Sequence, residues 1–273
     1  MVVVGKQPDG DSIRFVPETP ELLDSLRRGW RVRRSSDGSV QLRMEGIDAP
    51  ETHYGGLAQP LGAEARDALL ELCGFREIRR DGEGVVSATP ERRPAAILSE
   101  LVDPNGRPVS ILLVEEELPD GEYVEVSDEL LARSANIALL ADGSAYITLY
   151  DSCAPPIRAA FLRLAAEARE RGLGVWRRDQ TARFELVDQD SIGPESQLVL
   201  PKLFRRCSDY LRTRAPDETL RDWLRTHGPP ERPEDDRVIV GGRDETRLSE
   251  LVEQRGTIIA FPVDLLDIVF VEK

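Results

Sequence analysis

Cysteine is scarce in this chain of 273 residues: Cys73, Cys153 and Cys207 are its three. Three scattered cysteines build neither a disulfide framework nor a zinc site, so reduced thiols and a cytoplasmic setting are expected. Long apolar runs are missing as well. No stretch approaches the roughly 20 residues that cross a bilayer, which removes membranes from the expected partners. The opening Met1-Val2-Val3-Val4-Gly5 has no basic flank and no extended apolar core. It reads as the start of a strand rather than a signal peptide, with export by another route as the alternative to the cytoplasm.

A basic surplus is the third absence. The net charge is −14, and no basic half hides inside it. Residues 1–176 hold 20 Lys and Arg against 30 Asp and Glu, and residues 177–273 hold 16 against 20. Tight, sequence-independent storage of nucleic acid draws its affinity from Lys and Arg on phosphates, so that class is disfavoured. An enzyme needs only a local positive clamp and a bound cation, and the argument leaves it standing. With 40% hydrophobic and 32% charged residues, the chain is expected to be soluble and globular, with two modest cores rather than one.

Alternation and turn residues place strands at 2–4 and 12–16 around Pro8-Asp9-Gly10, and a hairpin of 30–34 with 39–44 across Ser36-Asp37-Gly38. A short helical insertion is expected at 18–26. Pro60 opens a helix that runs to Cys73 and stops at Gly74. Further strands are expected at 85–88, 95–102 and 109–114, the last two flanking the turn Asp103-Pro104-Asn105-Gly106. Ser127 caps a helix to about residue 140, and Pro155-Pro156 starts a longer one that ends at Gly172. Short strands with helices inserted and appended match a five-stranded OB-fold β-barrel, in an α+β chain. The polar run Arg177-Arg178-Asp179-Gln180 marks a boundary between one domain over 1–178 and a small α+β C-terminal domain over 179–273. The second domain is expected to hold helices at 202–214, 217–226 and 245–254. Its strands fall at 238–240, 257–261 and 267–271, and a linker or exposed loop covers 228–236.

Three clusters carry chemistry. They are Asp9-Gly10-Asp11-Ser12, then Arg43 with Ile47-Asp48-Ala49-Pro50-Glu51, then Gly106-Arg107 behind Asp103. Singly, each has a bland reading: a turn pair, a strand end with solvated charges, an exposed turn arginine. Together they supply hard oxygen ligands for a cation, two guanidiniums for a phosphate and a carboxylate to activate water. Those are the parts of a metal-dependent phosphodiesterase.

In their order and spacing, these clusters resemble the staphylococcal nuclease family. Gly62-x-Glu64-Ala65, the leucine-rich helix before Ala138 and the closing Gly172-Leu173-Gly174-Val175-Trp176 belong to the same pattern, which covers about residues 1–178. The resemblance implies a Ca2+-dependent nuclease, with Mg2+ or Mn2+ as alternative ions. Its substrate would be DNA, RNA or both, cleaved by in-line attack of water to leave 3′-phosphates. It implies Asp11, Asp48 and the backbone carbonyl of Ala49 as metal ligands, Glu51 as the residue that positions or deprotonates water, and Arg43 and Arg107 as the phosphate grip. Ser12 and Ala49 stand where the family usually has threonines, and Asp9 is expected to shape the turn or to sit behind the ligands.

Substrate contacts depart from the family. Pro104-Asn105 replaces a usual basic and aromatic pair, and residues 81–94 look like a longer loop. Tyr146 and Tyr150 are expected to pack within strands rather than stack on bases, and Trp176 to plug a core. His53 is expected to be an exposed loop residue and Glu115-Glu116-Glu117 a solvated edge. The alternative reading is a catalytically inert nuclease-like module that binds nucleic acid or a protein partner, and the C-terminal domain is a candidate for recruiting such a partner.

Overall fold

The strands that carry the candidate residues find their partners far along the chain. In the computed structural model, which describes residues 1–116, 118–229 and 233–272, Arg43–Met44 runs parallel to Pro108–Val114 with Arg43 opposite Val109. Pro108–Val114 in turn pairs antiparallel with Ala95–Val102 across the expected turn, where Gly106 takes φ +84°. Ile47–Asp48 pairs with Tyr146–Ile147, Asp48 facing Tyr146 across the ladder. Between Arg43–Met44 and Ile47–Asp48 the chain turns at Gly46 (φ +79°), where a Cβ would stand 2.7 Å from the Phe161 ring. Only glycine fits both the torsion and the space. Glu117 of the acidic run and residues 230–232 of the expected linker lie outside the described residues.

The architecture is mixed α+β. Among the described residues its strands form several short sheets and no closed five-stranded barrel. The reason lies at residues 40–48. Val40–Gln41 pairs with Arg14–Phe15, Arg43–Met44 with Pro108–Val114, and Ile47–Asp48 with Tyr146–Ile147. Three two-residue strands in succession each take a different partner, so the hydrogen bonding is not continuous around a ring. The expected hairpin of 30–34 with 39–44 fails for the same reason. Residues 29–31 form a 3-10 turn with Trp30 80% exposed, and only the Arg34–Val40 bridge survives.

Other differences are local. The 127–140 helix is two helices, Asp128–Ala132 and Ala135–Ala141, because a second serine, Ser134, caps the second one by accepting from the Ile137 N–H at 3.2 Å. Residues 81–94 contain the strand Gly84–Thr89, paired with Arg76–Asp81, so most of that stretch is hairpin rather than loop. The helix expected at 245–254 is instead Glu245–Arg247, a single turn at Leu248–Leu251, and Glu253–Arg255. Leu248, Leu251 and Val252 have helical spacing, but the flanking residues are held in ladders with Arg237–Val240 and Ile258–Ala260.

Two apolar clusters result. One gathers Leu42, Met44, Ile47, Leu69, Leu112, Leu140 and Phe161. The other gathers Phe184, Leu203, Phe204, Trp223, Val238 and Phe261, and takes in Tyr146 and Val175 from earlier in the chain. A sheet stitches the chain's end to its first part: Ile268–Phe270 runs parallel to Leu149–Tyr150 and antiparallel to Arg237–Val240. No helix among the described residues is long and apolar enough to cross a membrane.

The helix Pro201–Thr213 has two faces. Leu203, Phe204, Cys207 and Tyr210 recur at core spacing and are buried in the second cluster. The opposite stripe, Lys202, Arg205, Arg206, Asp209 and Arg212, is polar, yet it meets protein. Its partners include Tyr54, Asp48, Glu51 and Tyr150 of the first part of the chain.

Candidate active site

Backbone packing brings the first two clusters together. Gly10 lies against the loop after Ile47–Asp48, where a Cβ would meet the Ala49 Cβ at 2.6 Å and the Ala65 Cβ at 2.8 Å. This close approach lets the Ala49 N–H reach the Asp11 carboxylate at 3.3 Å. Asp9 accepts from the Gly10 N–H at 2.9 Å and from the Thr52 N–H at 3.3 Å, so it shapes both turns. Asp9, Asp11, Asp48 and Glu51 thus form one acidic pocket. His53 is half-buried beside it rather than exposed, with its Nδ1 2.7 Å from the Thr52 hydroxyl.

Electrostatics register the crowding. Burial first, then the charges of Asp48, Asp9 and Glu51, push the Asp11 carboxyl well above the ordinary range, with Arg107 pulling the other way. Burial also raises Glu51, opposed by Arg205 and reinforced by Asp9 and Asp48.

Arg205 is the residue that sequence reasoning missed. Its Nη1 donates to Asp48 Oδ1 at 3.0 Å and its Nη2 to Asp48 Oδ2 at 2.8 Å, a bidentate fork; Nη1 also contacts Glu51 Oε1. Burial alone would lower its pKa, but Asp48 and Glu51 hold the guanidinium firmly charged. The helix is seated around it by Tyr54, which donates to Asp209 at 2.6 Å, and by Gln59, which donates to the Val199 carbonyl at 2.8 Å and accepts from the Glu51 N–H at 3.2 Å. The available signal was the polar stripe at 202, 205, 206, 209 and 212, which was indistinguishable from a solvated helix face.

The two arginines have partners of their own. Arg43 lies on the Tyr150 ring, its guanidinium carbon 4.1 Å from the ring centroid, and its Nη1 is 3.7 Å from Glu272 Oε2. Burial would raise the Tyr150 phenol, but Lys202, donating to its oxygen at 2.9 Å, and Arg43 outweigh it and hold the phenol below its ordinary value. Arg107 is forked onto Asp103, with Nε and Nη2 each 2.8 Å from Oδ2. Tyr146 is buried, donates to Asp179 at 2.9 Å and meets Trp176 edge-on at 5.4 Å, so both tyrosines pack as expected. Glu115 and Glu116 are ion-paired with Arg93 and Arg133 rather than merely solvated.

The donor set suits a hard cation. Asp11 and Asp48 offer carboxylate oxygens and Ala49 a carbonyl, and among the described residues no cationic side chain ion-pairs with Asp11. Of the four acids Arg205 contacts Asp48 and Glu51, a surplus of negative charge that a further cation would offset. The arrangement itself is closed on Arg205. No group of three or more His, Cys, Asp or Glu among the described residues is spaced to hold a metal ion.

The acids at the end of Ile47–Asp48 converge with Asp9 and Asp11, while Arg43 on its strand and Arg107 in its turn are held by Glu272 and Asp103. The family model for staphylococcal nuclease homologues matches residues 41–178, about half of the chain, and the chain belongs to that family. The match takes in Arg43, Asp48, Ala49, Glu51, Arg107 and Trp176, and leaves out Asp11 and everything after residue 178. Comparison with curated proteins finds no match.

Proposed function

We propose that the protein is a Ca2+-dependent nuclease, with Mg2+ or Mn2+ as alternative ions, that hydrolyses phosphodiester bonds of DNA or RNA. The observation that carries this reading is that Asp11, Asp48, Ala49 and Glu51 converge in one pocket whose charge is felt from Arg107. The ion would be held by Asp11, Asp48 and the Ala49 carbonyl, and would polarise the phosphoryl group. Glu51, with its carboxyl raised by burial, takes the proton of the attacking water in line with the 5′ leaving oxygen, and 3′-phosphates result. Arg107, pre-aimed by Asp103, and Arg43 grip the phosphate. The short ladders around Ile47–Asp48 and Pro108–Val114 are read as arcs of an OB-type barrel within a 1–178 nuclease unit, with 179–273 as its accessory unit. Three unpaired, buried cysteines favour a reducing, cytoplasmic setting.

A second reading has an observation of its own. Arg205 covers Asp48 and Glu51, and Glu272 with Tyr150 covers Arg43, as they would in an inert module that keeps the frame and binds nucleic acid or a protein partner. Cleavage of labelled single-stranded DNA and RNA with calcium, magnesium, manganese or EDTA separates the two. The nuclease reading expects EDTA-sensitive cleavage that falls by about 10²-fold or more in Glu51→Ala and Arg43→Ala. Absence of any EDTA-sensitive cleavage by the wild type would sink it.

A further inference from the structure

The C-terminal segment sets a positive charge against the acids of the site and a negative charge against its half-buried Arg43. We propose that Arg205 and Glu272 are internal stand-ins for the cation and the phosphate anion, closing the site until a divalent cation displaces Arg205. The proposal rests on the nuclease reading of the same residues and goes beyond it by giving the chain after residue 178 a regulatory role.

Arg205 engages both oxygens of Asp48 and one of Glu51, so a cation held through Asp48 has to share or take oxygens that the guanidinium now holds. Glu272 occupies the matching place for an anion. Its carboxylate faces Arg43 at 3.7 Å and accepts from the Ser152 hydroxyl at 3.4 Å, and its backbone N–H is fixed on Asp151 at 2.8 Å. Wholesale departure of the segment is not the route to opening. Ile268–Phe270 is hydrogen-bonded to Leu149–Tyr150, and the second apolar cluster includes Tyr146 and Val175. The moving part is the Arg205 side chain. It is 24% exposed, so its guanidinium has an outlet to solvent while Tyr54–Asp209 and Gln59–Val199 keep its helix in place. A divalent ion held by Asp11, Asp48 and the Ala49 carbonyl would bring twice the charge of the guanidinium and would also engage Asp11, which Arg205 does not touch.

The test is calcium binding to the full chain, read by calorimetry and by terbium luminescence, with thermal melting alongside. Arg205→Gln is expected to bind calcium about tenfold or more tightly than wild type, a difference of about 1.4 kcal/mol. It should melt below wild type in EDTA and gain more from calcium. Arg205→Lys, which keeps charge without the fork, should fall between them and guards against a misfolded glutamine variant. Glu272→Gln should tighten binding of a single-stranded oligonucleotide several-fold. Equal calcium affinity in wild type and Arg205→Gln, or no binding to either, overturns the cation half. Unchanged oligonucleotide affinity in Glu272→Gln overturns the anion half. Calcium binding by Arg205→Gln without cleavage would instead defeat the nuclease reading and leave the competition intact.

Discussion

The acidic side of the site and its arginine side are both covered by residues from the end of the chain, but not to the same degree. On the acidic side Arg205 makes a bidentate fork to Asp48 and a third contact to Glu51, from a helix seated by Tyr54 and Gln59. On the arginine side Glu272 stands 3.7 Å from Arg43, beyond hydrogen-bond reach, and Arg43 has a second support in the Tyr150 ring. Arg107 is paired within its own turn, with Asp103. The inequality teaches that the covering segment holds the acidic side more firmly than the arginine side.

Removal of each cover measures the difference. Arg205→Gln leaves Asp48 and Glu51 without their counter-charge, and in EDTA it is expected to cost about 3–5 kcal/mol of stability. Glu272→Gln leaves Arg43 on Tyr150 and is expected to cost about 1 kcal/mol, the scale of a loosely matched pair. Urea denaturation of the two variants checks the ordering, and equal losses would erase the asymmetry. A smaller effect sharpens the acidic side alone. Gly10→Ala places a methyl 2.6 Å from the Ala49 Cβ and should cost about 1–3 kcal/mol by the same denaturation measurement, displacing Asp11 from the Ala49 N–H.

Sequence reasoning singled out the acidic residues and the two arginines through the order and spacing of three clusters, each of which reads alone as an ordinary turn or strand end. The structure gathers the acids, and Gly46 and Gly106 carry the torsions of the turns beside Asp48 and Arg107. The same reasoning reached the helices over 62–72 and 155–170 through their apolar stripes. It missed the ladder partners of residues 40–48, since three consecutive short strands can pair anywhere and their choice depends on non-local packing. It also missed the cover. A helix with Lys202, Arg205, Arg206, Asp209 and Arg212 along one face has the pattern of a solvated surface, and only the fold shows carboxylates waiting opposite. Glu272 carried no local signal at all.

The smallest expected effect probes how Arg205 is presented. The Tyr54 phenol is pushed up to about 12, first by burial and then by the hydrogen bond and charge of Asp209. A group whose folded pKa is raised stabilises the fold fully below its unfolded value near 10, and that contribution is lost as pH rises through about 12. Phenolate absorbance of wild type minus Tyr54→Phe should therefore rise late, and Asp209→Asn should bring the midpoint down toward 10. An ordinary midpoint in the wild type would mean that the Pro201–Thr213 helix is not seated on the Tyr54 loop. Arg205 would then lack the fixed backbone that aims its fork at Asp48, and the acidic side would be no more firmly closed than the arginine side.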